Sequence, residues 1–220
     1  MITSRIKVGH PERLFRYGDE DEKKMQVQFA RLCVLYDDLT LEFTAANEDA
    51  IPLLDKSGRD NRRFYFVRRT LGTLSELRGA IGALEKSTTF QARKAAWEHG
   101  AQKEWSEAAK FFDTNHKFLK DWRNDVGGHF HDSAAAFAID NIEQDTVGTI
   151  ELYRRDTGVD VRLKFAYGLV AVAMIKLRDE RTQTVEDFLL DAFRFLVDAV
   201  NHATSAVKIV TLKELLEKFK

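Results

Sequence analysis

Hydrophobic positions recur at three- and four-residue steps over most of this chain. That period keeps side chains on one face of a 3.6-residue turn and predicts a mainly α-helical fold. Met25, Phe29, Leu32, Leu35, Tyr36, Leu39 and Phe43 carry a first helix to about Ala46, opened by the acidic stretch Asp19 to Glu22. Asn47 to Asn61, with Pro52 and Ser57-Gly58, reads as a connection. Phe64, Val67, Leu71, Leu74, Leu77, Ile81 and Leu84 then mark a long, central second helix. Ser87-Thr88-Thr89 interrupts it. A third helical region from Phe90 to Val126, broken near Gly100, buries Trp105, Ala108, Phe112, Leu119, Trp122 and Val126. Asp132 or Ser133 caps a short helix that runs to Ile139.

The period then changes to two. Ile150 and Leu152, and after a turn at Arg154 to Gly158 also Val159, Val161, Leu163 and Phe165, alternate with polar residues, which predicts a β-hairpin from about Thr146 to Phe165. A helical pattern resumes from Tyr167 to about Asp179. Thr184-Val185-Glu186-Asp187 and Thr211-Leu212-Lys213-Glu214 both have the form of a capping box at the start of a further helix. The expected architecture is one domain over residues 1 to 220. It is a helical bundle with a core at about 20–142, a small inserted β-hairpin at about 146–165 and closing helices at about 167–219.

Charge narrows the functional classes. A net charge of -1 and a pI near 6.6 exclude a globally basic nucleic-acid binder, so contact with nucleic acid requires a local patch. One such patch is Lys56, Arg59, Arg62, Arg63, Arg68 and Arg69 against the single acid Asp60. Arg62 and Arg69 share a helix side, which suits either a phosphate-backbone stripe or an ordinary solvated face. The lone Cys33 excludes an internal disulfide, suits a reducing compartment and falls in a helical core pattern. The three tryptophans also follow helical stripes. The N-terminus lacks the apolar core of a signal peptide, and Tyr167 to Ile175 is far shorter than the ~20 residues of a membrane span, so a cytoplasmic protein is expected.

The stretch with most chemistry is Leu-Lys-Asp-Trp-Arg-Asn-Asp-Val-Gly-Gly-His-Phe-His-Asp, Leu119 to Asp132. An apolar-striped helix runs into Arg123 and Asn124, glycines at 127 and 128 break it, and His129 follows. This arrangement resembles the Arg-polar-x(3 to 5)-His signature of the HEPN superfamily, helical domains many of which are metal-independent ribonucleases. Arg5 with His10 and Arg93 with His99 repeat the loose spacing, but only Arg123 is followed by an amide. Arg93 and His99 are expected within one continuous helix, which turns them to different faces. The resemblance implies an endoribonuclease that needs no metal or cofactor, of the toxin or antiviral class, with RNA as substrate and an antitoxin or other protein as partner. It also implies a homodimer in which two motifs share one cleft.

The residue types suit transesterification by the ribose 2'-hydroxyl. His129 can act as general acid or base near neutrality, Arg123 offers a fixed fork of donors to phosphate oxygens, and Asn124 can position either. Gly127 and Gly128 have no Cβ, which allows a sharp turn and close approach of a nucleotide. His116, seven residues before Arg123, and His131 are accessory candidates or plain surface histidines. Other readings stand beside this one. Arg123 can close a helix with an ion pair to Asp121 or Asp125, with Gly127-Gly128 as its cap. His129 and His131 with Asp132 or His116 can hold a zinc ion. Without catalysis, the same groove makes a helical module that binds a nucleotide, RNA or a protein. No Walker loop, Rossmann glycine pattern or nucleophile elbow is present.

Overall fold

In the computed structural model the described residues are 15–47, 56–124, 132–142, 150–155, 158–163, 166–175 and 185–216. The fold is mainly α-helical. Helices α1 (Glu20–Asn47), α2 (Lys56–Glu85), α3 (Thr88–Ala95), α4 (His99–Thr114), α5 (His116–Trp122) and α6 (Asp132–Asn141) precede strands β1 (Ile150–Arg155) and β2 (Gly158–Leu163). Helices α7 (Ala166–Ile175) and α8 (Val185–Val210) follow, and α8 passes directly into a π-helical turn, Thr211–Leu215. β1 and β2 pair antiparallel with Ile150 opposite Leu163 and Arg155 opposite Gly158, the hairpin that the alternating pattern predicts. The chain divides into two compact units, one of Met1–Asp37, Glu76–Thr114 and Asn201–Lys220 and the other of Asp38–Ser75 and Asn115–Val200.

The first unit is built on an aromatic cluster. Phe90 meets Phe29, Trp97 and Trp105 at ring separations of 6.0, 5.5 and 4.9 Å, in the edge-on and tilted arrangements that a ring quadrupole favours. Burying indoles requires acceptors for their N–H groups, and carboxylates supply them. Trp105 Nε1 donates to Glu85 at 2.6 Å and Trp97 Nε1 donates to the buried Glu214 at 2.9 Å. Ser87 accepts from the Phe90 N–H and so starts α3 at the predicted interruption. Asp19 likewise accepts from the Glu22 N–H at the start of α1.

The second unit buries Leu39, Ala46, Leu71 and Leu74 of α1 and α2, Leu119 and Trp122 of α5, and Ala192 and Leu196 of α8. Phe118 of α5 meets Phe195 of α8 at 4.8 Å. Ala134 and Ala138 of α6 pack with Ala173, Leu169 and Val172 of α7. Within this unit Glu42 accepts from Thr73 Oγ1 at 2.7 Å and lies 3.4 Å from Arg69 Nε. Burial is the main influence on Glu42 and pushes its carboxyl above the usual range, against the pull of Thr73 and Arg69.

Three expectations change. α2 begins at Lys56, inside the expected connection, so the helix accepts poor formers before its apolar stripe starts. The region from Phe90 to Val126 is broken near Gly100, as expected, but not there alone. It is interrupted at residues 96–98 and again at Asn115, whose φ/ψ of -97° and 13° leaves the helical region. Thr211 opens no new helix, because α8 continues through Val210 at helical angles without a side-chain cap. The Glu214 carboxylate that a capping box would turn back to Thr211 is recruited instead by Trp97 and Arg93.

Candidate functional site

Helix α5 carries the site, and its residues divide by face. Leu119 and Trp122 are fully buried and Phe118 and Asp121 are half-buried, so one side of the helix is committed to the core. His116, Lys117, Lys120, Arg123 and Asn124 are exposed. These positions recur at three- and four-residue steps and therefore share the opposite side. Three fixed cations, a histidine and an amide stand there with no exposed acid on the same helix. The buried indole of Trp122 immediately precedes Arg123 and anchors its backbone.

Arg123 closes α5 at φ/ψ of -57° and -45°, with its N–H directed to the carbonyls of Leu119 and Lys120. Arg123 and Asn124 form a widened, π-helical turn. Such turns displace side chains from the regular helical register and recur at functional sites. His116 and Arg123 are seven residues apart on the exposed face, as the sequence spacing predicts. Gly127, Gly128, His129 and His131 lie outside the described residues, as does the His129–His131 zinc alternative. Among the described residues no three His, Cys, Asp or Glu side chains converge on a metal site.

The candidate cations of α2 and α3 have defined contacts. Arg69 lies 3.4 Å from the Glu42 carboxylate, and Arg62 lies over the Phe66 ring at 5.5 Å. Arg69 thus faces an acid of its own unit and Arg62 covers an aromatic ring, contacts that a phosphate on the expected α2 stripe would have to share. Arg93 and His99 lie on different helices, not on one. The Arg93 guanidinium is held by Glu22 and by Glu214, the latter at 3.1 Å. Partial burial would lower its pKa, but the two carboxylates outweigh burial and raise it. Burial, and then Asp37, push the Cys33 thiol up, which keeps it protonated and makes it a poor nucleophile. All three tryptophans are buried and unavailable for stacking on bases.

Lys117 and Lys120 are the residues that the motif did not name. Their signal was present in the sequence, since both fall on the side of α5 opposite Leu119 and Trp122. A separate cleft between α2 and α4 in the first unit, lined by Arg78, Gly79, Gly82, Lys86, Lys110 and Asp113 among others, contains none of the predicted site residues. No helix among the described residues is long and apolar enough to cross a membrane. Compared with protein-family models, curated proteins and solved structures, the chain matches none.

Proposed function

We propose that this protein is a metal-independent endoribonuclease of HEPN type, working in the cytoplasm as a homodimer of the toxin or antiviral class. The observation that supports this reading is the basic exposed face of α5, where Lys117, Lys120 and Arg123 stand together and Asn124 adjoins the arginine. The sequence likeness around Arg123 supplies the reaction. Phosphate backbones are bound by such rows of cations without regard to base sequence.

In the proposed reaction the ribose 2'-oxygen loses its proton to a base and bonds to the neighbouring phosphorus. The bond from phosphorus to the 5'-oxygen breaks, and that oxygen takes a proton from an acid. The products are a 2',3'-cyclic phosphate and a 5'-hydroxyl. His129 serves as acid or base, with the second role filled by the other protomer's motif. Arg123 neutralises charge as it gathers on the phosphoryl oxygens, and Asn124 orients the phosphate or the imidazole.

The test is cleavage of several RNAs by purified protein in excess EDTA, with analysis of product ends. Cleavage to 2',3'-cyclic phosphate, lost on either Arg123→Ala or His129→Ala, supports the proposal. RNA binding by a folded wild type that cleaves nothing would instead favour a noncatalytic binding module. Equal cleavage by all three proteins would assign the activity to another site or to contamination.

A further inference from the structure

The cleft between α2 and α4 lies wholly within the first unit and has a chemistry of its own. Its volume is about 680 Å³, within the range of sites that take small molecules. Gly79, Gly82 and Ala83 of α2 and Ala109 of α4 form much of its lining. Glycine inside a helix weakens it, and close approach of a neighbour to the backbone is the usual compensation. Among the described residues no such neighbour exists, since a Cβ at Gly79 or at Gly82 would meet nothing within 4 Å. The two glycines deepen the cleft and do not tighten the core.

Charge selects the occupant. Arg78 and Lys86 of α2 and Lys110 of α4 line the cleft, and none of the three has an ion pair among the described residues. Other cations of the same unit are neutralised, Arg31 by Glu76, Arg93 by Glu22 and Glu214, Lys94 by Glu85 and Lys213 by Glu98. Of the acids that line the cleft, Glu85 is taken by Lys94 at 2.8 Å and by the Trp105 N–H at 2.6 Å, which leaves three cations against Asp113. Arg78 is half-buried, and a guanidinium drawn partly out of water is stabilised by an arriving anion.

The surface between the charges suits an aliphatic body. Phe112, the one ring in the lining, is buried, so the cleft offers no aromatic face on which a base could stack. Arg78 and Lys86 are eight positions apart, about 12 Å along the helix axis, and Lys110 lies on the α4 wall. That separation suits acidic groups at the two ends of one molecule better than a single acidic group.

We infer that the α2–α4 cleft binds a small aliphatic molecule with an acidic group, carboxylate or phosphate, at each end. The inference does not depend on the ribonuclease proposal, because the cleft contains none of the residues assigned to RNA cleavage and its test uses no RNA.

The experiment is an NMR titration of the isotope-labelled full chain with sebacate, an aliphatic chain with a carboxylate at each end. Sebacate should bind with a dissociation constant of ~0.1–1 mM and shift the amide signals of Gly79, Gly82 and Ala109 most. Decanoate, the same chain with one carboxylate, and tripolyphosphate, charge without the chain, should each bind at least ~10-fold more weakly. The bisphosphate of octanediol is the second dianion, and whichever of the two binds more tightly assigns the acidic group. Arg78→Gln and Lys86→Gln should each weaken sebacate binding at least ~10-fold with unchanged circular dichroism. Gly82→Ala is the sharpest variant. With room for its Cβ it should raise Tm by ~2–4 °C and weaken binding at least ~3-fold, opposite directions that a loss of folding does not produce. Absence of binding by both dianions up to ~10 mM, decanoate or tripolyphosphate binding as tightly as sebacate, amide shifts centred outside the cleft, or a Gly82→Ala variant with unchanged affinity would overturn the inference.

Discussion

The ends of α3 and α5 carry the same sequence feature, an arginine six residues before a histidine, in opposite surroundings. Arg93 in the last turn of α3 lies between the carboxylates of Glu22 and Glu214, and Glu214 also receives the Trp97 indole N–H. Arg123 at the end of α5 is exposed beside Lys117 and Lys120 on a helix whose only acid, Asp121, is half-buried. A guanidinium shared between two carboxylates must give up those contacts before it can hold a phosphate, and the charges of Lys117 and Lys120 add to the attraction of the α5 face for one. Spacing along the chain therefore proposes both sites, and the neighbouring charges separate them. The first reads as a structural lock, and the second is the surface on which the proposed RNA site rests.

The largest expected effect is on the lock. Glu214→Ala leaves the Trp97 N–H without its acceptor and takes from Arg93 one of its two carboxylates, and should cost about 2–3 kcal/mol in urea unfolding. Glu214→Gln, which keeps an acceptor oxygen, should cost less. A loss below ~0.5 kcal/mol for the alanine variant would remove the distinction between the two arginines.

Next in size is Arg123→Ala. It should lower RNA cleavage about 100-fold while changing unfolding free energy by no more than ~0.5 kcal/mol. Arg93→Ala should show the reverse, with reduced stability and unaltered cleavage per folded molecule. If both substitutions destabilise equally, the exposed face of α5 is structural.

A smaller change is expected along α5 itself. Lys117→Ala and Lys120→Ala should each reduce the dependence of single-stranded RNA affinity on salt, by about 0.7 in the slope of log K against log salt concentration. Titrating affinity at four or five salt concentrations measures this, and an unchanged slope would take that lysine off the phosphate track.

The smallest effect concerns pH. Burial alone would raise the Glu85 carboxyl, but hydrogen bonds from Lys94 and Trp105 outweigh it and hold the group below the usual carboxylate range. Its contribution to stability is therefore present above the ordinary value and lost as pH falls through the lowered one. Glu42 runs the other way, since its raised pKa makes the protonated form the better fit and acidification relieves a penalty. Carboxyl titration by NMR should place Glu42 above and Glu85 below an unperturbed glutamate. The reverse order would mean that the Trp105–Glu85–Lys94 contacts do not bind the charged form.

Much of the scaffold around these sites was legible in the residues. The stripe of Phe64 to Leu84 predicts α2, Ser87 marks the start of α3, and the alternation of Val159, Val161 and Leu163 predicts β2. Arg123 and Asn124 were legible as a pair, and the exposed face beside them could have been read from the spacing of Lys117 and Lys120. The break at Asn115 was not legible, because Trp105, Phe112, Leu119 and Trp122 keep a helical rhythm across it. Thr211 to Glu214 misled for a different reason. The local capping pattern was present, but Trp97 and Arg93, more than a hundred residues away in sequence, claimed its carboxylate.

The sequence by itself determined that this is a mainly helical chain with one hairpin, where most helices bury their faces, and which arginine is followed by an amide. These features are set by periodicity and near-neighbour chemistry, which act over a few residues. Only the tertiary structure decided that Arg93 is neutralised, that Arg69 faces Glu42, and that α5 turns its basic side outward. Each of these depends on which charged groups distant segments bring within a few ångströms, and Coulomb interactions and burial act through that spatial distance, whatever the separation along the chain.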